Sequence, residues 1–153
     1  MNQRQSQQNQ RGRHHGGGQQ GHRSNSSPVA KRPSKEDVTR FIKNDDATKD
    51  MVKACEGFGA QLKDDKLSTS QLRNAYGSMK KLEMSGWSPQ TQSKLLLLKP
   101  RLAYAGKRHG NGMATLSAVL ADAIDAIENE LDFKRFCNFF EAIVAYFKAA
   151  GGK

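Results

Sequence analysis

A chain of 153 residues with a formal net charge of +10 and an isoelectric point of about 9.8 holds one domain. That charge selects a polyanionic partner, nucleic acid ahead of an anionic membrane surface. No run of about 20 apolar residues is present, so no membrane-spanning helix is expected, and the basic N-terminus lacks the apolar stretch of a secretory signal.

Residues 1–34 carry six basic residues and no acid, and between Met1 and Val29 they contain only Gln, Asn, Gly, Ser, Arg, His and Pro. Such a segment buries too little apolar surface to offset its chain entropy, so a disordered basic tail is expected over 1–34. His14, His15 and His22 lie in it without the fixed geometry that metal ligation needs.

From Lys35 to Lys153 the pattern is helical, and a compact all-α bundle of five or six helices is expected. Ser34 caps a first helix opening Lys35-Glu36-Asp37-Val38. Asp45 or Asp46 restarts the helix, and Met51, Val52, Cys55, Phe58 and Leu62 continue an apolar face. In LSTSQL, Ser68 and Gln71 have capping-box spacing, and Leu67 and Leu72 that of a hydrophobic staple. This helix runs to Gly86, a glycine suited to the position after a helix end.

Ser88-Pro89 opens the next helix, cap then first-turn proline, with an interruption or kink expected near Pro100. Its four leucines, Leu95 to Leu98, wrap more than half the helix and imply wedging among neighbours. Gly110-Asn111-Gly112 breaks the chain. An apolar stripe then runs from Met113 to Leu131, with Asp122, Asp125, Glu128, Glu130 and Asp132 on its solvent side. Asp132 is expected to cap a last helix rich in phenylalanine. The two cysteines, Cys55 and Cys137, read as buried thiols in a reducing cytoplasm.

No catalytic or metal-binding constellation and no cofactor motif emerges. His109, the one histidine after residue 34, sits at a helix end where a cation complements the dipole. Charge is the informative feature. Residues 66–108 hold nine basic residues against Glu83 alone, whereas residues 109–147 hold two basic and six acidic ones. Arg73 and Lys80 are seven apart, as are Lys94, Arg101 and Arg108, so each set lines up along a helix at about 10 Å intervals. Gly77, between Arg73 and Lys80, leaves room for an approaching backbone. Arginine at such positions forks onto phosphate oxygens, and a nucleic-acid backbone surface follows.

The blocks LSTSQLRNAYGSMKKLE, LLLLKPRLAYAGKRH and RFCNFFEAIVAYFKAAGG, in that order and spacing, resemble the small subunit of type III-A CRISPR effector complexes, the Csm complexes. The similarity spans roughly residues 35–152. It implies a non-catalytic helical subunit of the prokaryotic cytoplasm that stacks with further copies along the channel for CRISPR RNA and target RNA. It also implies contact with the target-cleaving backbone subunits and the large signalling subunit. Ser70, Gln71 and Arg73, then Lys99, Arg101 and Arg108, are the RNA contacts carried over from the resemblance, and charge adds Lys80, Lys81, Lys94 and Lys107. The alternative is a free-standing basic helical DNA- or RNA-binding regulator, for which a dimeric reading helix would be expected.

Overall fold

The computed structural model describes residues 32–153, and most of the tail expected to be disordered, residues 1–31, lies outside the described residues. Pro33 is already buried and Ser34 caps the first helix, its hydroxyl accepting from the Asp37 amide at 3.1 Å. Six α-helices follow: α1 (Lys35–Lys43), α2 (Thr48–Asp64), α3 (Thr69–Ser85), α4 (Pro89–His109), α5 (Asn111–Asp125) and α6 (Glu130–Ala149). A 3-10 turn, Asp45–Ala47, joins α1 to α2, and no strand occurs among the described residues.

Helix α6 is the central element. It buries Phe133, Phe136, Phe139, Phe140, Ile143 and Phe147, and α2 packs along it while α1 and α3 cross it. Helix α4 packs along α5, and α3 bridges α4 and α6. The capping box at Ser68 and Gln71 is complete, both reciprocal bonds measuring 3.1 Å, and Leu67 and Leu72 are both buried. Gly86, at a φ of 75°, ends α3, and Ser88 caps α4 ahead of Pro89.

Several expectations change. Helix α4 continues through Pro100 without interruption. Of the four leucines, Leu95 and Leu98 are buried, but Leu96 and Leu97 are 53% and 60% exposed, so the run faces two ways. Val52 is exposed rather than part of the core. Leu131 is also exposed, because α5 ends at Asp125 and Leu131 belongs to the first turn of α6. Asn129, not Asp132, caps α6, its side chain accepting from the Asp132 amide at 2.9 Å.

Asp132 is itself buried, at 2% exposure, not on a solvent face. Its carboxylate accepts from Lys43 at 2.6 Å, from the Glu128 amide at 3.0 Å and from Arg135 at 3.3 Å. Arg135 also reaches Asp45 at 2.7 Å, so the network ties α1 and the 3-10 turn to α6. Burial works against the Lys43 ammonium, but Asp132 and Glu128 outweigh it and hold its pKa above the ordinary value.

Glycine marks a close approach of α2 to α6. A Cβ on Gly59 would lie 2.6 Å from the Phe147 amide nitrogen and 2.7 Å from the Tyr146 carbonyl carbon. Backbone cannot yield as a side-chain tip can, so Gly59→Ala forces α2 off α6 and costs about 1–3 kcal/mol. Gly77 has nothing within 4 Å of the same position. Gly77→Ala therefore gains only helix propensity, and its unfolding free energy rises by about 0.5–1 kcal/mol. Urea titration of the two variants checks both signs.

Cys55 and Cys137 are buried free thiols whose pKa values burial pushes up to about 12. Iodoacetamide at pH 8 is expected to spare both in the folded chain and to label both in urea, as mass spectrometry would show. The sign of the linkage follows: unfolded thiols ionise first, near the ordinary thiol value of 9.0, so stability falls as pH rises from there toward about 12.

Candidate nucleic-acid interface

Helices α3 and α4 run side by side, joined by a three-residue turn, and a groove of about 160 Å³ lies between them. Gln71, Asn74 and Ser78 rise from α3, and Arg101 and His109 from α4. Its floor is apolar, made by Ala75, Leu98, Leu102, Ala105 and Met113, and no carboxylate lines it.

The helical period explains this assembly. Positions 71, 74, 78 and 81 form one row on α3, which carries the amides of Gln71 and Asn74, the hydroxyl of Ser78 and the ammonium of Lys81. Positions 94, 101 and 108 form a row on α4, and because the helix is unbroken at Pro100 the seven-residue spacing keeps them aligned. Lys94, Arg101 and Arg108 thus span about 20 Å at 1.5 Å per residue. These three and Lys81 are exposed, and none has a carboxylate within 4.0 Å among the described residues. Lys107, Arg108 and His109 occupy the last turn of α4, where positive charge complements the helix dipole.

The other residues expected from the sequence are distributed differently. Ser70 is exposed in the first turn of α3. Arg73 lies on the far side of α3, lining a recess with Tyr76, Val144 and Lys148. Lys80 sits 5.5 Å from the Tyr76 ring centroid and 3.4 Å from Glu83, and Tyr76 first, then Glu83, raise its pKa. Lys99 pairs with Asp125, and Lys107 faces the α4–α5 side. So Gln71, Lys81, Lys94, Arg101 and Arg108 share one stripe, whereas Lys80 and Lys99 carry the acidic partners that charge counting had not given them. Sequence reasoning missed Asn74 and Ser78, which the spacing 71, 74, 78, 81 would have found.

An uncompensated stripe of cations and neutral donors can hold phosphate oxygens along a backbone. No group of three His, Cys, Asp or Glu side chains is placed to hold a metal among the described residues, and no described helix is long and apolar enough to cross a membrane. In comparisons with known proteins, the family model described as Csm2 Type III-A matches residues 45–153. No curated protein matches the chain, and no solved structure does.

Proposed function

The chain belongs to the Csm2 type III-A family, the small, non-catalytic structural subunit of the Csm effector complex, and from that premise we propose that the α3–α4 stripe is where it holds RNA. The ligand is the backbone of the duplex between CRISPR RNA and target RNA. The subunit reads its shape and phosphates, not its bases, because the stripe offers cations and amides on a shallow surface and no element that could enter a groove. One observation carries this reading: Lys81, Lys94, Arg101 and Arg108 are exposed on one side of the molecule with no carboxylate partner among the described residues.

Stacking with further copies, contact with the target-cleaving and large signalling subunits, and a place in the prokaryotic cytoplasm belong to the same proposal, supported by the family. In the assembled complex, guide–target duplexes of unrelated sequence are expected to bind with equal affinity at one ionic strength. A strong preference that disappears on replacing Gln71 or Asn74 would show base readout instead.

A further inference from the structure

The groove between α3 and α4 ends in the one histidine among the described residues. On α4, Leu98, Leu102 and Ala105 make its floor, and steps of three and four residues carry that row on to position 109. An apolar side chain would continue the pattern. His109 stands there instead, exposed and lining the groove with Arg101.

Helix α3 supplies the opposite wall. The capping box orients Gln71: its Oε1 accepts from the Ser68 amide at 3.1 Å, so its NH2 group is the part left to donate. Asn74 and Ser78 follow along the wall, and neither carries a charge.

The charges that line the groove are positive. Arg101 is within it, and Lys107 and Arg108 share the last turn of α4 with His109. Helix α5 contributes Met113, buried and apolar. The corner between α2 and α3 adjoins α5 through the Asp65 carbonyl, which accepts from the Gly112 amide at 3.2 Å. The Asp65 carboxylate accepts from Gln61 at 3.4 Å, and Lys66 beside it is exposed. Lys153 lies against the start of α3, its carbonyl accepting from the Thr69 amide at 3.0 Å. No carboxylate lies within 4.0 Å of the imidazole among the described residues.

Histidine is the side chain whose ordinary titration falls between pH 5 and 8. In the free chain the helix C-terminus favours an imidazolium and the neighbouring cations oppose it. A phosphate oxygen brought into the groove reverses that opposition, because an anion at contact distance favours the charged form.

We propose that RNA binding in the α3–α4 groove is coupled to protonation of His109. The imidazolium, with both ring nitrogens then donors, adds a contact to the phosphate backbone that Arg101 holds. Its proton is taken from solvent on binding and returned when the RNA leaves. The contact is fully present at pH values where the imidazole is charged in both free and bound chain. It is lost as pH rises through the titration of the bound state. This inference rests on the RNA reading of the stripe and adds to it one contact whose strength the pH sets.

The test measures binding of the full chain to one guide–target RNA duplex, at a single ionic strength, from pH 5.5 to pH 8. The parent is expected to bind about tenfold more tightly at the acid end, beyond any change that His109→Gln shows, the low end of what an opposite charge at contact distance gives. His14, His15 and His22 are common to both chains, so their contribution cancels in the comparison. An equal pH dependence of parent and His109→Gln overturns the proposal. His109→Lys keeps its charge throughout and is expected to hold at pH 8 an affinity about tenfold above the parent's. If it binds there no better than the parent, the proposal also falls. In the histidine-labelled chain, the NMR titration midpoint of the His109 ring is expected to move to higher pH when the duplex is bound, and an unmoved midpoint counts against it equally. The residue is exposed, so all variants should melt as the parent does. The RNA reading is tested apart from this, by the salt slope at pH 8 of the chain lacking Lys81, Lys94, Arg101 and Arg108: an unchanged slope there sinks that reading, whereas a flattened slope with no His109-dependent pH effect sinks only this one.

Discussion

Replacing Lys81, Lys94, Arg101 and Arg108 together by glutamine is expected to flatten the dependence of log K on log salt by roughly 3 in slope, when RNA-duplex binding is titrated between low and moderate salt. Each cation that neutralises a phosphate releases counterions worth about 0.7–0.9 in slope, and four such contacts sum to roughly that figure. The folded state should hardly notice the change. All four side chains are exposed, and none leaves a carboxylate orphaned among the described residues, so stability should stay within about 0.5 kcal/mol. The matched control is Lys80→Gln with Lys99→Gln. Those charges are committed to Glu83 and Asp125, and their loss is expected to change the slope by less than about 1. If the fourfold variant kept the parent's slope, or the control lost as much, the stripe would not be the RNA surface. A sequence-specific reader would instead lose its preference among duplexes, while a backbone binder weakens on all of them by a similar factor.

Asp132→Ala is the substitution expected to cost most in stability. The carboxylate is 2% exposed and receives a lysine, an arginine and a backbone amide. Removing one member of a buried ionic group leaves the others desolvated without compensation, a loss of about 3–5 kcal/mol. The low end, about 3 kcal/mol, applies here, because Lys43 keeps Glu128 at 2.9 Å and Arg135 keeps Asp45 at 2.7 Å. The urea midpoint of the full chain measures it. Asp132→Asn should recover part of the loss, since its amide oxygen still accepts from the Glu128 amide. A value under 1 kcal/mol for the alanine variant would mean that α1 is not held to α6 through this residue.

Local features were legible in the sequence and distant ones were not, as particular residues show. Ser34, Ser68 and Ser88 were found because a cap and its bonded amide lie three residues apart. The leucine run was misread because four identical residues contain no phase. Only the packing of α4 on α3 and α5 decides that Leu95 and Leu98 turn in while Leu96 and Leu97 turn out. Asp132 looked like one more member of a solvent-facing acidic group because its partner Lys43 is 89 residues away. In the candidate site the seven-residue spacing of Lys94, Arg101 and Arg108 was visible, and the continuity of α4 through Pro100 makes it real. The pairing of Lys99 with Asp125 crosses 26 residues and two helices, and the side to which Arg73 points depends on where α6 lies.

The single residue between α4 and α5 bears on the order in which the chain folds. Gly110, at a φ of 66°, is all that separates His109 from Asn111, so these two helices meet with almost no loop to close. Helices α2 and α6 can pair only after the 65 residues between Asp64 and Glu130 are drawn together. Each doubling of loop length costs about 0.6 kcal/mol in entropy, so the second pairing starts on the order of 3 kcal/mol behind. The α4–α5 hairpin is therefore the expected early unit, and the α2–α6 seam closes late. Damage at Gly110 should slow refolding, whereas damage at Gly59 should chiefly hasten unfolding.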